Sequence, residues 1–459
     1  MLDFTTQSIA QILETPLAGN PVPVTGVSID SRTIQPGDCF FAIAGENFDG
    51  HQYVARAFEL GAACAVVRAD AQGLDTIEGA LLRVPDTILA LGALARAYRN
   101  ERNFKVVAIT GSVGKTTTRQ IVHHVLSRHF TAHQARKNFN NTIGLPLTLL
   151  EADPDTEVIV AELGANQPGE IAYLTRIAQP DVAVVTNVHP AHLAGFGSLE
   201  TIIKEKTSIA DGLREGGVFF VNGDIDALTA ACRARGGTFK TFGRSAGCDV
   251  RAEEITPDGL TSTFALEGQR VKLPLPGPGN VDNATVAWAI CKAFGLEIAD
   301  FAPTLASLPP VAMRAEPLQI GTYTVLNDCY NANPASMNNA LATLRELKEC
   351  GTFSDARRLV FICGAMAELG AQSEALHAEL GKAVAQAGVD LLLTVGDATR
   401  ATATSARTAA NGLQTEHFDD MTGLCENLSA FLRDHDIILV KGSRTAQLEN
   451  VVQQLTNIH

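Results

Sequence analysis

The segment VVAITGSVGKTTTRQ, residues 106–120, constrains this chain more than any other. Its first four residues are apolar without alternation, the pattern of a strand covered on both faces. The strand runs into a turn of Gly111, Ser112, Val113 and Gly114, and Lys115, Thr116 and Thr117 open a helical stretch directly behind it. Such a turn exposes successive backbone N–H groups at the positive end of a helix, which is a cradle for phosphate. Lys115 is placed to reach the β- and γ-phosphates, and the Thr116 hydroxyl can ligate Mg²⁺. The strict GxxxxGK[ST] pattern requires glycine where this chain has Ile109. A purely structural glycine turn with an exposed lysine is the competing reading. The conjunction of strand, glycine turn, Lys-Thr and helix favours nucleotide binding.

The rest of the chain repeats the strand-then-helix rhythm. Residues 156–163 (TEVIVAEL) and 180–188 (PDVAVVTNV) read as further buried strands of a parallel sheet with helices on both faces. Upstream, either Thr5 or Thr6 can cap a short helix, and VTGVSIDSR, GDCFFAIAG and HQYVARAFELGAACAVV spell a small α/β module, joined onward by a helix from about Ile88 to Tyr98. Residues 218–275 are richer in short strand and turn signals, and a Pro/Gly loop then feeds the helix within GPGNVDNATVAWAICKAFG. A third unit carries YTVLNDC, RRLVFICG, DLLLTVG and HDIILVKGS, beyond a boundary at LPPVAMRAEP where prolines interrupt the helical pattern. The 459 residues suit about three domains.

With 36 basic and 50 acidic residues the formal charge is −14, so the net field repels a nucleic-acid backbone while leaving room for a small phosphorylated ligand. The opening MLDFTTQSIAQILETP lacks the features of a secretory signal, and no apolar run reaches the length of a membrane span. Nine scattered cysteines without a CxxC read as reduced thiols. A cytosolic protein without integral membrane association is therefore expected.

Chemistry-bearing residues cluster at the ends of these strands, where open α/β sheets bind ligands. Glu162 can hold Mg²⁺ directly or through water, or it is an ordinary polar strand end. Asn187, His189 and His192 follow the next strand; His192 is favoured for function over His189, and either can be a hydrogen-bonded core histidine. Lys204 and Lys206 read as the solvated face of a helix. Asp328 can orient a ribose, a magnesium-bound water or an amine, and Asn331 and Asn333 can shape a nucleotide or substrate surface. The alternative for this turn is an Asx-turn ahead of the helix starting near Pro334 and Ser336. Arg314 is a candidate phosphate cation at a domain junction, and Arg444 a candidate carboxylate fork; a surface ion pair competes with both.

Taken in order, TGSVGKTT, NFNNTIGLPLTLL, AELGANQPGEI, TNVHPAHLAGFGS, GPGNVDNA and NDCYNANPASM make the whole chain resemble the ATP-dependent Mur ligase family. The resemblance implies an α/β protein of three domains. Residues 1–83 would recognise a UDP-sugar, residues 84–313 would form a central P-loop parallel-sheet ATPase, and residues 314–459 a C-terminal Rossmann-like domain. It implies a peptide ligase that phosphorylates a carboxylate with ATP and releases phosphate when an amine attacks. The implied acyl donor is UDP-N-acetylmuramoyl-L-alanyl-γ-D-glutamyl-diamino acid and the implied amine is D-alanyl-D-alanine, in a bacterial cytoplasm, with a monomer as the working expectation. Another amide-forming member of the family is the alternative, and a P-loop kinase a more distant one. Carried over residue by residue, Lys115 would stabilise the transferring phosphate and Thr116 would hold the first Mg²⁺, with Glu162, His192 and Lys206 around a second. Lys206, rather than Lys204, matches a family lysine that becomes carbamylated. Asn283, Arg314 and Asp328 would close the ATP site, and Ser28, Asp30, Ser31 and Arg32 match a turn near the UDP moiety. Ser112 stands where many relatives have threonine, a change that leaves the backbone nest intact.

Overall fold

The structure is a computed structural model describing residues 4–45, 48–136, 139–190, 193–349 and 357–458. Beside a two-stranded antiparallel pair, Phe4–Thr5 with Pro23–Val24, three larger sheets follow one another along the chain. The first has four parallel strands in sequence order, Gly26–Ser28, Asp38–Phe41, Cys64–Arg68 and Leu81–Val84. One face packs Phe40, Ala65 and Val67 against Val54 and Ala57 of the helix Val54–Glu59. The other face, with Phe41, Val66 and Leu82, merges into the core beneath the long helix Thr87–Glu101. Ahead of this sheet Thr5, not Thr6, caps the first helix, its Oγ1 accepting from Ser8 N at 3.1 Å. Arg99 welds the long helix to the next sheet: fully buried, it donates to the carbonyls of Ala178, Phe104 and Gln179 and pairs with Asp181 at 2.9 Å.

The central sheet has nine strands. Seven are parallel, in the spatial order Ala132–Gln134, Val158–Glu162, Lys105–Thr110, Val182–Val185, Val218–Asn222, Lys240–Gly243 and Val250–Asp258. Thr261–Leu266 and Gln269–Leu273 extend it as antiparallel strands. Strict alternation makes two cores from the inner strands. Val106, Ala108, Ile159, Ala161, Ala183 and Val185 face one, and Val107, Ile109, Val158, Val160, Val182 and Val184 face the other. The glycine-turn strand lies between the strands ending in Glu162 and in Val185, so both neighbours deliver their following residues to the same carboxyl edge. The region 218–275 also holds a helix, Asp226–Arg235, that its turn-rich composition concealed.

The third sheet runs Glu316–Ile320, Tyr323–Asn327, Ile437–Lys441, Leu359–Cys363, Leu391–Val395, Gln414–Phe418, antiparallel only at its first pair. It too is covered on both faces. The proline-rich boundary carries no regular element between Ala306 and Glu316, and both Met313 and Ala315 adopt left-handed backbone there. Among the described residues no helix is long and apolar enough to cross a membrane.

Candidate active site

The carboxyl edges of the second and third sheets face each other across a cleft of about 730 Å³. The glycine turn forms its floor. Gly111 has φ +148°, and a Cβ there would sit 2.0 Å from Thr186 Oγ1; Gly114 has φ +84°, and its Cβ would sit 2.3 Å from Asn283 Oδ1. Both positions therefore require glycine. Cross-links from the neighbouring strand hold the turn: Ser112 N donates to the Asn187 carbonyl (3.1 Å), Val113 N to Asn187 Oδ1 (2.9 Å) and Thr186 Oγ1 to the Val113 carbonyl (2.6 Å). Ser112 Oγ donates to the His189 carbonyl and accepts from His189 N, each at 3.0 Å, so the serine tethers rather than perturbs the nest. The helix Lys115–Leu126 begins with no side-chain cap. Its first-turn amides have no intrahelical acceptor, which leaves the donors a phosphate would use.

Lys115 Nζ donates to the Gly111 carbonyl at 2.7 Å, folded back over its own turn. Burial lowers its pKa and the Arg314 charge adds to this, against the carboxylate of Glu162. Thr116 Oγ1 donates to Glu162 Oε2 at 2.8 Å, and Asn140 Nδ2 to Glu162 Oε1 at 2.9 Å. Burial would raise the pKa of Glu162, but Lys115, Arg314, Arg119 and the Asn140 amide outweigh it and keep the pKa low. A buried anionic carboxylate sharing a threonine hydroxyl suits a hard, oxygen-ligated divalent cation. Thr116 and Glu162 thus fit Mg²⁺. Thr117 lies behind them, buried, and also borders the cleft.

The two lysines of the IIKEK helix, Leu199–Thr207, differ sharply: Lys204 is exposed, whereas Lys206 is only 3% exposed. The expected solvated face is corrected by the residue between them. Glu205 is buried and accepts from Gly169 N and Ile171 N, both at 2.7 Å, capping the helix Glu170–Ala178 and turning this side of its own helix inward. Burial pushes Lys206 down to about 7, the Lys115 charge helping and Glu205, Glu170 and Glu162 opposing. Its Nζ lies 5.8 Å from the Phe196 ring centroid. His192 lies outside the described residues. His189 borders the cleft, and burial lowers its pKa.

From the third sheet, Lys441 Nζ donates to Asp328 Oδ2 at 2.6 Å and to the Asn331 carbonyl at 3.1 Å. Ala315 N donates to Asp328 Oδ1 (3.1 Å), and the Arg314 guanidinium stacks 4.3 Å over the Tyr330 ring. Asn333 does two things: its Oδ1 accepts from Ser336 N at 2.9 Å as a helix-start turn, and its Nδ2 reaches the Ser112 carbonyl of the glycine turn at 3.4 Å. Asn331 Oδ1 accepts from Ala332 N. Asn283 bonds Thr118 Oγ1 and Asn280, behind Gly114. Residues 112, 162, 314, 328 and 441 therefore meet at one cleft. Sequence reasoning missed Arg244, which forks onto Asp282 with two 2.7 Å bonds and lines the same cleft from a polar turn.

Two expected groups are not brought to the cleft. Ser28, Asp30, Ser31 and Arg32 form a separate turn on the first sheet, where Arg32 Nη2 donates to Asp30 at 2.6 Å and holds the Asp30 carboxyl down at about 2. On the same unit, the exposed rings of Phe48 and Tyr53 stack at 5.2 Å. Arg444 is mostly exposed, pairs with Glu449 at 2.8 Å and does not line the cleft, which is the ion-pair alternative.

Comparison with known proteins accounts for all three sheets. Residues 23–99 match the Mur ligase family catalytic domain, 109–291 the Mur ligase middle domain, and 313–444 the Mur ligase glutamate ligase domain. The chain is 36% identical over 464 residues to the UDP-N-acetylmuramoyl-tripeptide--D-alanyl-D-alanine ligase of Escherichia coli, and 34% identical over 462 residues to that of Bacillus subtilis, with 99% of each chain covered in both cases. Among solved structures it is similar to MurF from Acinetobacter baumannii (TM-score 0.89, 31% identity, 100% of this chain and 99% of the other). It is also similar to the MurF ligase from Thermotoga maritima in complex with ADP (TM-score 0.83, 26% identity, 95% and 97%).

Proposed function

This chain belongs to the Mur ligase family, and we propose that it joins D-alanyl-D-alanine to UDP-N-acetylmuramoyl-L-alanyl-γ-D-glutamyl-diamino acid in a bacterial cytoplasm. Ligation of the Mur type, an amide bond formed in peptidoglycan precursor synthesis with the ATP and Mg²⁺ dependence typical of the family, is the reaction class. The choice of substrates rests on the relatives of full length that carry that activity in their names. The observation that carries the chemistry is the single cleft in which Lys115, Thr116 and Glu162 of one sheet face Arg314, Asp328 and Lys441 of another.

A carboxylate is a poor electrophile, so ATP converts it to an acyl phosphate: the carboxylate oxygen bonds the γ-phosphorus and ADP leaves. The uncapped helix start and Lys115 offset charge on the transferring group, and Arg314 supplies a second cation from across the cleft. Mg²⁺ held by Thr116 and Glu162, with His192 and a carbamylated Lys206 at a second position, would add Lewis-acid charge. The surroundings of Lys206 support that modification, because a lysine held near 7 is substantially neutral at physiological pH. Its amine then bonds the carbon of CO₂ and releases a proton. The amine of the dipeptide attacks the acyl carbonyl, forming the C–N bond as phosphate departs and a proton is lost. Domain closure would keep water from the acyl phosphate.

Residues 1–83 would bind the UDP portion through the Ser28–Arg32 turn, whose cation suits a diphosphate, and the Phe48–Tyr53 stack, a flat aromatic surface suited to the uracil ring. Residues 84–313 would bind ATP, and 314–459 would present the dipeptide, with Asn331, Asn333 and Arg444 as its candidate contacts. A matrix of UDP-muramoyl peptides against amino acids and dipeptides, read by mass detection of the condensed product, tests the assignment. The expected result is ADP, phosphate and the pentapeptide only when tripeptide and D-alanyl-D-alanine are both present. A stable phosphorylated product without condensation would overturn it.

A further inference from the structure

The third sheet's unit also touches the central one at a patch whose residues do not line the cleft. There the loop 364–370, which follows the strand Leu359–Cys363, meets the short helix Leu193–Phe196. Ala194 N points at the Glu368 carbonyl at 3.5 Å, and a Cβ on Gly370 would lie 3.5 Å from Ala194 Cβ. Leu376, just beyond the loop, packs against both the central core and the third sheet's core. The helix so contacted lies between the strand end bearing His189 and the helix bearing Lys206. Phe196 at the end of this helix is the ring beside Lys206, so the patch joins the third sheet's unit to a segment that borders Lys206.

The loop does not hold its shape by regular structure. Glu368 has φ +63°, a left-handed conformation that a glutamate adopts only under constraint. Backbone bonds tether its first residues, from Gly364 N to the Lys441 carbonyl and from Ser443 N to the Ala365 carbonyl. At its midpoint the tether is a side chain: Met366 N donates to His377 Nε2 at 3.0 Å. His377 is fully buried, and its Nδ1 donates to the Ser373 carbonyl at 2.7 Å, so the two partners fix one neutral tautomer. Met366 and Leu369 plug the loop into the third sheet's core.

We propose that His377 is a positioning residue whose Nε2, by holding the Met366 amide, fixes the loop 364–370 in the conformation that seats the third sheet's unit beside Ala194. This rests on the reading above, in which that unit presents the amine to an acyl phosphate formed on the central unit. His377 touches no substrate and acts through the loop.

Two substitutions separate the bonds the imidazole makes. Glutamine places an acceptor near the position of Nε2 and so retains the Met366 bond. Asparagine places a donor near the position of Nδ1, retaining the Ser373 bond and abandoning Met366. The full-length enzyme is assayed for condensed product with ATP, UDP-muramoyl-tripeptide and D-alanyl-D-alanine. For His377→Asn we expect kcat to fall about tenfold or more, the KM for the UDP-peptide to stay unchanged and amide exchange to accelerate within residues 364–372. His377→Gln should keep turnover within about threefold of wild type. Equal turnover in the two variants overturns the proposal. If His377→Asn does not fold, His377→Gln decides alone, and a tenfold loss at an unchanged melting temperature overturns it. A wild-type enzyme that makes no condensed product refutes the functional reading instead, and the exchange of residues 364–372 in the two variants then tests the tether by itself.

Discussion

Gly114→Ala isolates the geometry of the phosphate nest from its charge. At φ +84° an L-residue costs about 1–2 kcal/mol relative to glycine. The new methyl also meets Asn283 Oδ1 at 2.3 Å, well inside contact distance, so the amide must swing away from its 3.2 Å bond with Thr118 Oγ1. Losing that buried bond adds about 1 kcal/mol, for a total near 2–3 kcal/mol. For a central domain of this size that lowers the melting temperature by about 5–10 °C. ATP affinity should fall at least tenfold, since the amides at the start of the helix Lys115–Leu126 shift with Gly114, while UDP-peptide binding at the distant turn stays unchanged. Scanning calorimetry and titration calorimetry with ATP read these effects directly. The decisive measurement is the cycle with Asn283→Ala, which opens the space the methyl needs. The double variant should be less destabilised than the two single effects combined, by about 1 kcal/mol, leaving only the backbone cost. Strict additivity, or ATP binding by Gly114→Ala within twofold of wild type, would refute the steric argument.

Lys115→Ala should lower kcat by orders of magnitude with unchanged circular dichroism and UDP-peptide binding; near-native turnover at saturating ATP would remove Lys115 from phosphoryl transfer. Lys206→Ala should be severely impaired and partly rescued by a short carboxylic acid that fills the vacated space, whereas the exposed Lys204→Ala should be mild; full activity without acid would discard the carbamate. In CO₂-free buffer, where the amine is not carbamylated, Lys206 also makes a pH prediction with a definite sign. Its folded pKa of about 7 lies below the usual 10.5, so the unfolded chain binds more protons between those values and stability rises with pH across that window. Replacing it with methionine should flatten that rise and raise the melting temperature near pH 6, measured by calorimetry; an unaltered slope would mean that Lys206 is not held neutral. Arg444→Ala should alter the melting temperature by no more than about 1–2 °C, because an exposed pair with Glu449 contributes little. A selective increase in the dipeptide KM would show that Arg444 leaves Glu449 for the substrate carboxylate.

Legibility in this chain follows from how far apart in sequence the deciding contacts lie. The strand ending at Thr110, its glycines and the Lys115–Thr116 pair are readable because strand, turn and helix start are all local, and Glu162 is readable as the end of an apolar run that must be buried. Lys206 is opaque from its own neighbours: in the run Lys204, Glu205, Lys206 each residue reads as solvated, and only the bonds of Glu205 to Gly169 and Ile171, more than thirty residues away, turn the second lysine inward. The edge strand Gln414–Phe418 escapes for a different reason. It is paired on one side only, so no buried face demands apolar residues, and QTEHF carries no strand signal. Arg244 likewise acquires its place from Asp282 and the Pro278 carbonyl on the next helix. The Asn331–Asn333 turn shows that two local readings need not exclude each other, since Asn333 caps its own helix with Oδ1 and uses the remaining Nδ2 to cross to the glycine turn. Side chains with spare bonding capacity at strand ends can thus satisfy the fold and still face a substrate. That is why the catalytic cleft could be assembled from turns that each look structurally complete on their own.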